Sequence, residues 1–176
     1  MNIWFGIDVD KYYKDVREIV QKIERDLDFD LGMLLPYHIS LKMSFSVSED
    51  MINNVIESLV NYFINLVPFE VETNKIECHD NIVWVRMKKN SILDNIHIDL
   101  NSLLLEKYNI GLHEYDLDFL FHTTLFMDND KEKIKKAYER IKDIVIPKTM
   151  IIDKYVIGIS ETGKPGTYNV IKEIEI

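Results

Sequence analysis

A single cysteine, Cys78, leaves the chain with no intrachain disulfide and no thiolate metal cluster, and it reads as a free buried thiol. Positive charge is in short supply as well: 21 Lys and Arg stand against 30 Asp and Glu, a formal net charge of −9. That balance argues against a protein that coats long nucleic acid by unspecific attraction, though a small nucleotide or a strand end in a local pocket stays open. No apolar run approaches the roughly 20 residues of a membrane span. The longest candidate, 51–69, is broken by Glu57 and several Asn. Asp8 and Asp10 come early, with no basic start and no small-residue cleavage site, so no signal peptide is expected and the chain reads as cytoplasmic. No linker or low-complexity segment divides the 176 residues, and the expectation is one soluble domain, 1–176, and a monomer.

Two short stretches stand out. The first is His38-Ile39-Ser40-Leu41, and the second is His122-Thr123-Thr124-Leu125. Each reads His-x-hydroxyl-Leu in an apolar setting that favours a strand. Strand side chains alternate between faces, so His38 and Ser40 share one face and His122 and Thr124 share one face. The histidines lie 84 positions apart, about half the chain, as an internal duplication would place them.

The remaining pattern fits that repeat. Strands are predicted at 3–9, 38–47, 69–77, 82–87, 120–127, 150–160 and 168–176. Helices are predicted at about 10–27, 48–66, 91–108 and from Asp128-Asn129-Asp130 to about 145. Asp28 to Gly32 reads as a loop, and Gly6 in the first strand suggests a close backbone approach. Ser48 is the expected cap of the second helix, and Gly111 lies just past the third.

Two facing imidazoles divide acid–base labour: one, neutral, removes a proton, and the other, protonated, gives one to a leaving oxygen. Ser40 and Thr124 are suited to donate to non-bridging phosphate oxygens as charge develops. Such a site needs no metal or other cofactor and suits opening of a strained cyclic phosphate. A metal reading would draw on His38, His122, His113 and Asp118, but no histidine pair has the i, i+4 zinc spacing.

The two tetrapeptides, half a chain apart in this strand–helix order, resemble the 2H phosphoesterase superfamily, above all its bacterial branch of 2′-5′ RNA ligase-like proteins and cyclic phosphodiesterases. The resemblance implies an α+β, bilobal fold: two pseudo-symmetric antiparallel-sheet halves around a central cleft, with helices packed outside. It implies hydrolysis or reversible ligation at a 2′,3′-cyclic phosphate or a 2′-5′ linkage of a nucleotide or RNA end. By position His38 and His122 would be catalytic, and Ser40 and Thr124 phosphate-binding. Members of that branch often carry a basic residue shortly after the second motif, where this chain has Phe126 and Met127. Lys42 follows the first motif instead, at the strand parity of His38 and Ser40, and is expected to reach the phosphate. Tyr37, Phe45, Trp84, Phe126 and Tyr168 are candidate base-stacking rings. His79, His97 and His113 read as surface residues. Two alternatives share the fold: a nucleotide-binding module without turnover, and a phosphoesterase for a substrate unrelated to nucleic acid.

Overall fold

The computed structural model describes residues 1–29 and 36–176; part of the loop expected at 28–32 therefore lies outside the described residues. In chain order the elements are β1 (Asn2–Asp8), α1 (Lys14–Leu27), β2 (His38–Ser40), β3 (Phe45–Ser46), α2 (Ile52–Phe63), β4 (Phe69–His79), β5 (Ile82–Met87), α3 (Ser91–Tyr108), β6 (His122–Met127), α4 (Lys131–Ile141), β7 (Thr149–Ile152), β8 (Lys154–Ser160) and β9 (Asn169–Glu175). They form two antiparallel sheets. One runs β2-β1-β8-β9 with β3 also paired to β1, and the other runs β6-β5-β4-β7. This is the α+β arrangement of two antiparallel sheets that the resemblance implied.

The sheets do not follow the two halves of the chain. The C-terminal β8 and β9 complete the sheet of β1, while β4 and β5, from the first half, join β6 and β7. Residues 150–160, expected as one strand, split at Asp153, and the chain changes sheets there. Both pieces are apolar and strand-forming, so hydrophobicity alone does not mark the crossing.

The first motif strand is also shorter than expected. It stops at Ser40, and pairing resumes at Phe45. The intervening residues turn inward, where the Lys42 ammonium is held by buried partners and the Leu41 carbonyl accepts from His97. Strand periodicity cannot survive a lysine drawn under the sheet.

Three helices bury the stripe their spacing predicts: Val16, Val20 and Ile23 on α1, Val55, Leu59 and Phe63 on α2, and Ile134, Ala137 and Ile141 on α4. The α2 helix begins at Ile52 without a side-chain cap, so Ser48 does not cap it. It ends at Phe63, after which Asn65 and Leu66 tighten into i→i−3 bonds before Pro68. On α3 the buried face is Leu93, Ile96, His97, Leu100, Asn101 and Leu104; of the apolar stripe the spacing predicts, Ile92, Ile96, Leu100, Leu103 and Leu104, Ile92 is exposed and Leu103 half-buried. Asn90 caps its start, and left-handed Asn109, rather than Gly111, ends it. Cys78, expected in the core, is only half-buried on β4.

In β1 the alternation is sharp. Ile3, Phe5 and Ile7 face the core, where Phe63 of α2 packs edge-on to Phe5 and stacks on Tyr155 of β8 at 4.6 Å. Trp4, Gly6 and Asp8 take the other face. On β5, Val83, Val85 and Met87 are buried, leaving Trp84 and Arg86 opposite. The motif strands β2 and β6 pair edge to edge with β1 and β5, so their alternate side chains share these same two faces.

Candidate active site

Each motif strand is the last strand of its sheet, and β2 lies against β6. The register sets Ser40 beside Gly6 and His38 beside Asp8 in one sheet, and Thr124 beside Trp84 and His122 beside Arg86 in the other. Equivalent motif positions therefore face different neighbours: an acid lies across from His38 and a base across from His122. His38, Ser40, His122 and Thr124 line a single cavity of about 290 Å³, with Trp4, Tyr37, Phe119, Pro165 and Tyr168 among its walls.

The two imidazoles are held alike. His38 Nδ1–H donates to the Pro36 carbonyl at 2.8 Å, and His122 Nδ1–H donates to the Leu120 carbonyl at 2.6 Å. A carbonyl only accepts, so Nδ1 carries the hydrogen and the neutral ring keeps a lone pair on Nε2. Neither Nε2 has a partner among the described residues, and both rings are partly exposed at the cleft. The cleft walls strip much of the water from both rings, and that desolvation lowers both pKa values. His122 falls to about 4, with His38, His79 and Arg86 adding to the effect against the Leu120 bond. His38 is lowered by burial, which the Pro36 bond and Asp8 oppose.

Ser40 accepts a hydrogen bond from Trp4 Nε1 at 2.9 Å, whereas the Thr124 hydroxyl has no partner among the described residues. Trp4 meets the His38 ring edge-on at 4.4 Å, and Trp84 stacks on His122 at 4.1 Å.

Lys42 requires a correction. It borders the cavity, yet its side chain is 1% exposed, and its three ammonium hydrogens go to Asp116 Oδ2 at 2.5 Å, Asn101 Oδ1 at 2.7 Å and the Gly111 carbonyl at 3.2 Å. No donor is left for a phosphate. The Asp116 carboxylate also accepts from the Met43 and His113 backbone N–H groups. Its pKa is lowered: burial pushes it up, but the bonds from Lys42 and these amides outweigh that. The lysine thus fastens the end of β2 to the segment between α3 and β6. Arg17, the other cation on the cavity wall, pairs with Asp10 and lies over the Tyr37 ring at 5.1 Å.

His97 is not at the surface. Its ring is buried against Phe119 at 4.6 Å, and its nitrogens lie 2.8 Å from the Leu41 carbonyl and 3.0 Å from the Asp116 carbonyl. His79 and His113 are exposed, as expected. Of the five stacking candidates, Tyr37 and Tyr168 line the cavity. Phe126 is buried against Phe29, Phe45 packs on Phe5, and the Trp84 ring lies between His122 and His79. Trp4 and Phe119 were not anticipated; Gly6, two residues beyond Trp4 on one strand face, was the available signal for the former. His113 and Asp118 lie outside the cavity lining, and among the described residues no three His, Cys, Asp or Glu side chains group as a metal site.

Comparisons with known proteins agree with this architecture. A protein of Geobacillus kaustophilus described as a phosphoesterase is 25% identical over 114 residues, which cover 62% of this chain and 61% of that protein. The crystal structure of TT0787 of Thermus thermophilus superposes with a TM-score of 0.62 at 13% identity, over 99% of this chain and 97% of that one. Escherichia coli LigT in complex with NADP⁺ does so with a TM-score of 0.58 at 16% identity, over 99% and 96%. Residues 13–163 match the model of the 2′-5′ RNA ligase superfamily, and the chain belongs to that family.

Proposed function

We propose that the chain is a metal-independent phosphodiesterase that acts on 2′,3′-cyclic phosphates or 2′-5′ linkages of nucleotides or RNA ends, with His38 and His122 as its acid–base pair. The observation that carries the reading is the matched pair of imidazoles, each fixed through Nδ1 with Nε2 unpartnered, on the wall of one cavity. Nucleotide binding by a protein of this fold supports it: E. coli LigT has been crystallised with phosphate, with 3′-AMP and with ATP.

The cross-strand neighbours divide the roles. Asp8 favours a proton on His38, and Arg86 disfavours one on His122. His122 Nε2 is therefore the base that takes a proton from water as the oxygen attacks phosphorus. His38 Nε2–H is the acid that protonates the departing ribose oxygen. Ser40 and Thr124 hydroxyls donate to the non-bridging oxygens as charge builds. Each proton has a destination, and the pair is reset by one exchange with solvent. Both cations on the cavity wall are already ion-paired, which suits a singly charged diester over a polyphosphate or a long strand.

The pH dependence follows. His122 must be neutral, which holds above about pH 4, and His38 must be protonated, which holds only below a pKa depressed from 6.5. The kcat/KM profile for the free enzyme is expected to be a bell on the acid side of neutrality. A plateau extending through pH 8 contradicts the assignment.

Hydrolysis of 2′,3′-cyclic nucleotides in the presence of EDTA tests the whole reading. Turnover in EDTA is expected, with a loss on the order of 10²–10⁴-fold in His38→Ala and in His122→Ala. Tight binding without turnover would instead mark a nucleotide-binding module, and restoration by zinc would reject the metal-free scheme.

A further inference from the structure

The chain contains two tryptophans, and each motif histidine rests on one of them. They are not used alike. Trp84 stacks face to face on His122 and directs its Nε1–H at Glu77 Oε2, 3.1 Å away. Trp4 touches both members of the first motif: its ring meets His38, and its Nε1–H donates to Ser40 Oγ.

The indole of Trp4 has been given a bed. Gly158 lies directly across from it in the neighbouring strand, and Gly6 is two residues along on the same face. A Cβ on Gly158 would fall 3.1 Å from Trp4 Cε3, and one on Gly6 would fall 3.0 Å from Trp4 Cζ2. Val156 and Tyr168 close over the ring, which is 5% exposed. A ring so confined has one orientation, and its N–H has one direction.

A hydroxyl has one hydrogen and two acceptor lone pairs. With an indole N–H on one lone pair, the Ser40 hydrogen cannot point toward Trp4. Among the described residues nothing accepts it. It is left for an oxygen arriving in the cleft. Thr124 has no such constraint.

We propose that Trp4 is a positioning residue: it presets the Ser40 hydroxyl as a donor to a phosphate oxygen and seats the His38 ring beside it. This rests on the phosphate-binding role of Ser40 proposed above. A preset donor needs no rotor search as charge develops, which is the condition under which such donors act most strongly.

A double-mutant cycle reads this out. Ser40→Ala is expected to lower kcat for a 2′,3′-cyclic nucleotide by roughly 10- to 1000-fold, as for loss of one transition-state donor. Trp4→Phe keeps a ring against His38 but removes the N–H. It is expected to lower kcat about tenfold with KM changed less than about twofold, and to have no further effect when Ser40 is already Ala. A merely structural Trp4 would cost the same factor in both backgrounds; that additivity, or an unchanged kcat in Trp4→Phe, overturns the inference. An unchanged kcat in Ser40→Ala would instead overturn the role of Ser40 itself.

A second measurement leaves Trp4 in place. In Trp84→Phe the only indole is Trp4, and titration with inorganic phosphate is expected to change its emission saturably. The change should vanish when Ser40→Ala is added. An emission response that persists without Ser40, or no response while calorimetry shows phosphate bound, rejects the coupling.

Discussion

At the scale of single residues, the site separates groups that touch the cleft from groups that hold it. Lys42 looked like a member of the first kind, because strand alternation carried past Ser40 puts it on the face of His38. Its burial shows the second kind. Removing one partner of a buried ion pair leaves the other charged and desolvated, at a cost of about 3–5 kcal/mol. Lys42→Met is therefore expected to destabilise the protein by about that amount, and Asp116→Asn likewise, because its NH2 would face an N–H donor whichever way the amide turned and Lys42 would stay buried without a counter-charge. Chemical denaturation measures both. If Lys42 were a phosphate contact, Lys42→Met would raise KM while leaving the unfolding midpoint nearly unchanged. His97 teaches the same lesson: on α3 it occupies a position whose spacing reads as polar surface, yet its ring is buried between the Leu41 and Asp116 carbonyls. Nothing local marks a histidine as buried when its partners are backbone carbonyls distant in the chain.

At the scale of elements, what the sequence made legible was period and what it concealed was pairing. The helices are legible in their apolar stripes, and the β4–β5 hairpin in the polar His79-Asp80-Asn81 that separates two strand-forming runs. The motifs were legible because two copies of one pattern, each on a strand, constrain each other. The end of β2 was not, since residues 41–44 bend to satisfy partners on α3 and the segment after it. Gly6 was legible as a close approach, and the structure gives the distance: a Cβ there would lie 2.6 Å from the Ile39 carbonyl oxygen, backbone that cannot step aside without moving β2. Gly6→Ala is accordingly expected to spread β1 from β2 between the two motif residues, lowering turnover by at least tenfold while the second sheet stays intact. Amide exchange across β2 and β1, compared with β5 and β6, locates the damage. Equal loss of protection in both sheets would show that the strain is not local to the first motif.

For the whole molecule, the sequence suggested two halves in tandem, and the chain instead exchanges strands between its sheets. An apolar strand reads the same in either sheet, so the crossing at Asp153 has no local signature. One consequence is that the cleft is a seam between sheets that share one chain in both directions, and protonating its floor acts on the stability of the entire fold. His122 has a pKa of about 4 in the native state against about 6.5 when unfolded. Between those values the unfolded chain binds the extra proton, so stability increases with pH across the window and is lost as pH falls through it. The contribution of His122 is on the order of 3 kcal/mol over the full window, and His38 acts in the same direction. For a chain of this size each kcal/mol moves Tm by roughly 2–4 °C. The expected result is a clear fall in Tm from pH 6.5 to 4.5, shallower in His122→Asn, and shallower again in wild type saturated with inorganic phosphate, whose charge offsets that of the imidazolium. A Tm independent of pH over this range, or a slope that His122→Asn leaves unchanged, would mean that the ring at the cleft floor is solvated well enough to titrate as it does in the unfolded chain.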